Sequence, residues 1–395
     1  MRFSKSFSVE RDGSRMIQLD ILRGVAILLV LFTHNIVKPQ DSGSWQPVLT
    51  YLRYLGPSGV DLFFVLSGFL IGGLLFKELR ETGRLEVGRF LVRRGFKIWP
   101  AYFVFVVYIF LWVSFIDREA FPGNVRGILP NLLHVQNYFW SPREHTWSLA
   151  VEEHFYLALP FLLLLLVSRQ TSKFTAIPAL PYIAVSVFML CALFRLNAYA
   201  YPPRYNPHFA THLRMDSLFF GVMLAYFHQF KPHTLEFAAR HRGKLLFLGS
   251  ALLLLLPALV INDRENVIAG TFGFIMLYVG YGCFLLAMIH TQVGSGWLGG
   301  WMNSLVARGI AFIGYFSYPM YLWHVDATRP VAVLLKSGLL TGLPAEFRWL
   351  FVFVIYVLAA LAVGIVFGVL VDKPSLALRD RLFPAKTGRI GGISH

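Results

Sequence analysis

The residues best equipped for chemistry in this chain lie inside apolar sequence. In the run LDILRGVAILLVLFTH, Arg23 and His34 stand eleven positions apart. On an α-helix that spacing turns through about 1100°, roughly 20° past three full turns, so both side chains share one face about 16 Å apart. Histidine titrates near neutral pH, and a neighbouring carboxylate can fix its tautomer and steady its cationic form, which is what a general base needs. Carboxylates occur in similar settings: Asp61 in GVDLFFVLSGF, Glu152 and Glu153 in HTWSLAVEEHFYL, and Asp216 beside His212 and Arg214 in THLRMDSL. Such groups are expensive within hydrocarbon unless paired or hydrated, so each is a functional candidate. No GxSxG nucleophile motif is present, and EEHFYL supplies one histidine where the HExxH zinc signature needs two. Direct attack by an acceptor hydroxyl, assisted by His34, is therefore preferred to a covalent intermediate, and no metal is expected. Ser67, Ser148 and Ser317 keep the covalent route open.

The elements that must hold these groups follow from composition. The 395 residues are 56% hydrophobic, 16% aromatic and 14% charged, with mean hydropathy +0.59. An average soluble domain is about 25% charged, so a soluble two-domain enzyme is excluded, as are disordered and fibrous chains. Spanning helices take roughly 20 apolar residues each. Ten candidates fall near 17–37, 58–76, 98–116, 148–167, 176–196, 214–230, 245–261, 267–290, 311–335 and 348–371. The expected fold is all-α and integral to the membrane, with segment 1–16 before the ten-helix domain 17–371 and a basic tail 372–395. The first run is too long, and lacks the cleavage site, for a removed signal peptide. Cys191 and Cys283 lie in apolar runs and read as small buried hydrophobes.

Charge position gives the orientation. The 77–97 connection carries Lys77, Arg80, Arg84, Arg89, Arg93, Arg94 and Lys97, and the tail adds Lys373, Arg379, Arg381, Lys386 and Arg389. By the positive-inside bias both termini are cytoplasmic. His34, Asp61, Glu152, Glu153, Arg214 and Asp216 then share the outer third of the bilayer. Titratable groups from four helices at one level are expected to line a polar cavity. Ser67, Trp147, His212 and Tyr321 are further candidates for its wall, and His324 in SYPMYLWH is either functional or a satisfied buried histidine. Arg93, Arg94 and Lys97 precede Trp99, Pro100 and Tyr102. They either anchor a helix end or bind phosphates through charge-assisted hydrogen bonds.

The ordered set Arg23–His34, GVDLFFVLSGFLI, RRGFKIWPAYF, WSLAVEEHFYL, THLRMDSLFFG, SYPMYLWH and VDKP resembles the integral-membrane acyltransferase-3 family across about residues 20–375. The resemblance implies an O-acyltransferase moving an acyl group, typically acetyl, from cytoplasmic acyl-CoA to a hydroxyl of an envelope glycan or lipid-linked saccharide. It implies His34 as base, Arg23 in donor binding or cavity organisation, Glu152 and Glu153 as functional, and Arg93, Arg94 and Lys97 on the donor side. It also implies a multi-pass protein of the bacterial inner membrane, in contact with lipid and without nucleic acid. Without an appended soluble domain it would act with no fused partner. Three departures stand out: Lys97 replaces the third arginine of RRxxR, His154 the glutamine after the Glu pair, and Asp372 the glutamate before Lys373-Pro374. The competing class is a proton-coupled secondary transporter or flippase, since intramembrane His, Asp and Glu also build proton relays. No matched Gly/Pro-broken helices favour it.

Overall fold

The computed structural model describes residues 16–116, 127–167, 177–203, 205–260 and 267–384. Segment 1–15, part of the 117–147 connection, and Lys386 and Arg389 of the tail lie outside them. Among the described residues the chain is helical, with no strand. The first half contains α1 (Ile17–Thr33), α2 (Gln46–Leu55), α3 (Gly59–Thr82), α4 (Val87–Phe115), α5 (Leu129–Leu132), α6 (Trp147–Val167) and α7 (Leu180–Ala200). The second contains α8 (Met215–Phe230), α9 (Glu236–Arg240), α10 (Arg242–Val260), α11 (Val267–Ile289) and α12 (Gly296–Met302). It ends with α13 (Leu305–Tyr315), α14 (Ser317–Trp323), α15 (Thr328–Lys336), α16 (Ala345–Phe367) and α17 (Lys373–Leu382).

Among the described residues, six helices are long and apolar enough to cross a membrane: α3, α4, α6, α7, α11 and α16. Their outward faces are apolar too, with Val107, Phe115, Phe161, Phe272 and Leu358 all exposed. The ninth apolar run, 311–335, is not one helix. Pro319 has no N–H to donate to the carbonyl of Tyr315, so the ladder cannot run through and the helix breaks at Phe316. A second break separates Trp323 from Thr328. Ser304 starts this stretch by capping α13, its hydroxyl accepting from the Ala307 N–H at 3.2 Å.

Two close helix crossings hold the bundle around the candidate site. A Cβ on Gly24 of α1 would collide with the Ile310 carbonyl of α13, and one on Gly314 of α13 with the Asp20 carbonyl of α1. The same reciprocity joins α3 and α8, where Gly68 meets the Leu218 carbonyl and Gly221 the Val65 carbonyl. Backbones in contact leave no slack, as in small-residue packing between membrane helices. Gly24 neighbours Arg23, and Gly68 neighbours Ser67, so each crossing also sets the position of a polar side chain.

Valine at Gly68 or Gly314 is expected to cost about 1–3 kcal/mol by overpacking, lowering the melting temperature of the detergent-purified protein. Gly73, which has nothing within 4 Å of a built Cβ, should accept valine with little change. Equal melting of all three variants would contradict this account of the crossings.

Candidate active site

At the centre of the bundle lies a cavity of about 150 Å³ lined by residues of α1, α3, α4, α6, α13 and α14. Its polar lining comprises Arg23, Ser67, Arg94, Lys97, Ser148, Glu152, Tyr156, Tyr315, Ser317, Tyr318 and Tyr321. A chain of hydrogen bonds crosses it: the Tyr156 hydroxyl donates to Ser67 Oγ at 3.2 Å, and Ser67 donates to Glu152 Oε1 at 2.6 Å. Arg94 lies over the Tyr156 ring, 4.3 Å from its centroid, with its Nε buried and unpartnered. Both Arg94 and Arg23 are in electrostatic range of Glu152. On the opposite wall the Tyr321 hydroxyl donates to the His145 carbonyl and accepts from Ser148, both at 2.7 Å.

Two further cavities lie in line with this one. A cleft of about 430 Å³ is lined by Lys77, Arg84, Arg89, Arg93, Arg94, Lys97 and Arg379, with only Glu78 and Glu86 as carboxylates. Arg94 and Lys97 belong to both the cleft and the central cavity and join them. A basin of about 510 Å³ is lined by Thr33, Lys38, Gln40, Thr50, Arg53, Tyr54 and prolines 39 and 57. Helix α3 and the turn before it give the order: Pro57 in the basin, Val60 to Ser67 in the central cavity, Ile71 to Thr82 in the cleft. At 1.5 Å per residue that row covers about 37 Å, comparable with a bilayer whose hydrocarbon is about 30 Å thick.

His34 caps the end of α1. Its Nδ1 lies 2.9 Å from the Val30 carbonyl oxygen. A carbonyl can only accept, so Nδ1 carries the proton of the neutral ring and Nε2 keeps its lone pair. Arg23 and His34 do not meet in one cavity as their shared face predicts. Arg23 opens on the central cavity, whereas His34 lines none of the three and only follows Thr33, which lines the basin. The Tyr321 carbonyl accepts from His324 Nδ1 at 2.6 Å, and the His324 ring meets both His34 and His145 at 4.7 Å between centroids. His324 is fully buried with Nε2 unpartnered.

Several residues expected at the cavity line none of these three. Asp61 pairs with Arg214 at 2.8 Å and accepts from Ser217, while Asp216 pairs with Arg195 at 2.6 Å. Arg214 also stacks over Phe274, 4.2 Å from the ring centroid. These buried charges satisfy one another, so they hold helices together and leave the cavity to Glu152. Trp147 stacks on Phe209. His212 bonds the hydroxyls of Tyr138 and Tyr205. Glu153 accepts from Trp99 Nε1 at 3.1 Å, with its other oxygen buried and unpartnered. His154 turns away to Thr211, about 200° around the helix from Glu152. Arg93, although in the cleft, also bonds Asp380 and the Phe383 carbonyl, tethering α17.

Sequence reasoning misses Tyr156, Tyr318, His145 and Arg195. Tyr156 has a signal: it follows Glu152 by four residues and so shares its helix face. Arg195 has none, because its partner Asp216 lies on another helix. Among the described residues no cluster of three or more His, Cys, Asp or Glu is placed to hold a metal ion.

The chain matches the acyltransferase domain model Acyl_transf_3 over residues 16–369. It is 27% identical over 388 residues to "Putative O-acetyltransferase SAS0844" of Staphylococcus aureus, covering 89% of this chain and 59% of that protein. It is 26% identical over 364 residues to "Peptidoglycan O-acetyltransferase OatA" of Listeria monocytogenes, covering 86% of this chain and 52% of that protein. The chain thus spans between half and three fifths of the length of these curated relatives. No solved structure matches it at a significant level. A family match over nine tenths of the sequence identifies the chain as a member of the acyltransferase-3 family.

Proposed function

We propose that this chain is a membrane O-acyltransferase that carries an acetyl group from cytoplasmic acetyl-CoA to a hydroxyl of an envelope glycan or lipid-linked saccharide. The observation that supports it best is the row of three cavities along α3, with a cluster of lysines and arginines at one end and Thr33, the chain neighbour of His34, at the other. The proposal includes the ten-span topology, with both termini cytoplasmic and the cleft facing the cytoplasm of a bacterial inner membrane. The family match and the names of the relatives agree with an acyl-transfer reaction on glycan.

The cleft suits a coenzyme's phosphates, since the seven lysines and arginines in its lining outnumber its two carboxylates. The central cavity, the smallest of the three, suits the pantetheine arm. Ser67, Ser148 and the tyrosine hydroxyls offer hydrogen bonds to its amides, and Arg23 borders its course. The thioester carbonyl then reaches past Tyr321 to His34. Nε2 of His34 takes the proton of the acceptor hydroxyl as its oxygen attacks the carbonyl carbon. The C–S bond breaks, and the imidazolium returns the proton to the departing thiolate. Glu152, tied to Ser67, acts as a positioning residue for the arm and for Arg94.

His34→Ala is expected to lower acetyl transfer from labelled acetyl-CoA by about 10²–10⁴-fold while the protein still extracts and elutes as the wild type does. Retained activity in that purified variant would remove His34 from the reaction. Arg94→Gln is expected to raise KM for acetyl-CoA by about tenfold or more, the loss of one charge-assisted contact, with a smaller effect on the acceptor KM. Equal effects on both substrates would take Arg94 away from the donor.

A further inference from the structure

The basin beside His34 contains two cations without an evident structural task. Lys38 and Arg53 both line it. Among the described residues neither has a carboxylate within ion-pair distance, whereas Arg143, Arg195, Arg214 and Arg329 all do. Both lie close enough to His34 to act on its charge. On the proposed topology they face outward, where the positive-inside bias disfavours Lys and Arg. The remaining lining is polar and aromatic: Gln40 and Tyr54, with the Thr50 hydroxyl buried and unpartnered. A volume of about 510 Å³ falls in the range of small-ligand sites.

We infer that this basin binds the acyl acceptor and that the acceptor is a saccharide carrying an anionic group, a carboxylate or a phosphate, near the hydroxyl that is acylated. Lys38 and Arg53 hold the anion, Tyr54 offers a face to the sugar ring, and Gln40 and Thr50 offer hydrogen bonds to its hydroxyls. The anion then fixes which hydroxyl lies against His34. Calling the ligand an acceptor rests on the acyltransferase reading; the anion site itself rests on the basin.

The test is direct binding without donor or turnover. Full-length protein in phosphatidylcholine nanodiscs, with coenzyme A present to occupy the basic cleft, is titrated with trigalacturonate, inorganic pyrophosphate and neutral maltotriose. At least one anion is expected to bind, with trigalacturonate about tenfold or more tighter than maltotriose if the group is a carboxylate. Pyrophosphate binding alone would mark a phosphate. The double variant Lys38→Gln/Arg53→Gln should weaken the anion by about tenfold or more, and Lys38→Arg, which keeps the charge, should retain it. Binding of neither anion overturns the proposal and leaves the two cations to lipid headgroups. Unchanged anion affinity in a double variant of wild-type melting temperature also overturns it. Acetyl transfer measured in parallel tests the acyltransferase reading separately, because the binding result needs no turnover.

Discussion

Gly68 and Gly221 let the backbones of α3 and α8 touch, and next to that contact Asp61 and Arg214 form a buried ion pair. Removing one partner of such a pair costs about 3–5 kcal/mol, because the other charge is left in a low-dielectric interior. The contact and the pair together hold α3 in a single register. That register matters because α3 borders the basin, the central cavity and the cleft in turn. A slip of one residue would rotate Ser67 by about 100° and break its bond to Glu152. Arg195 and Asp216 repeat the arrangement one layer outward, tying α7 to α8. The polar interior is thus divided into charges that bind helices to one another and charges that line open space.

That division is what sequence could not supply. Asp61, Glu152, Arg214 and Asp216 all read as intramembrane charges at a similar depth, and depth is legible from helix direction and position in the run. Their partners are not, because Arg195 and Asp216 meet only through the packing of two helices. The Arg23–His34 spacing has a similar limit. Periodicity places both on one face of α1, but Arg23 lines the central cavity while His34 packs against His324 at the end of α14. Composition carried the all-helical membrane class, and local chemistry carried some boundaries. The break after Tyr315 follows from Pro319, although the sequence on either side of it is mostly apolar.

The basic run 89–97 also divides once it is folded. Arg94 and Lys97 face the space shared by cleft and cavity, whereas Arg89 and Arg93 reach the end of α17 at the Pro384 and Phe383 carbonyls. Ser375 joins the same contact by donating to the Phe96 carbonyl. One helix turn separates arginines with different neighbours. A motif of spaced cations cannot show which of them are committed to protein and which to a ligand.

The narrow middle of the cavity row has a kinetic meaning. In the proposed reaction, the central cavity of about 150 Å³ takes only the donor's extended arm. On the proposed reading, the two substrates enter by separate mouths and never compete for one. Either can bind first, and the spent thiol leaves by the mouth through which it came without waiting for the acylated product. A chemical group would then change sides of the membrane while its carrier does not. The bilayer would stay sealed, because the group that crosses would be bonded to something else at each moment of its passage.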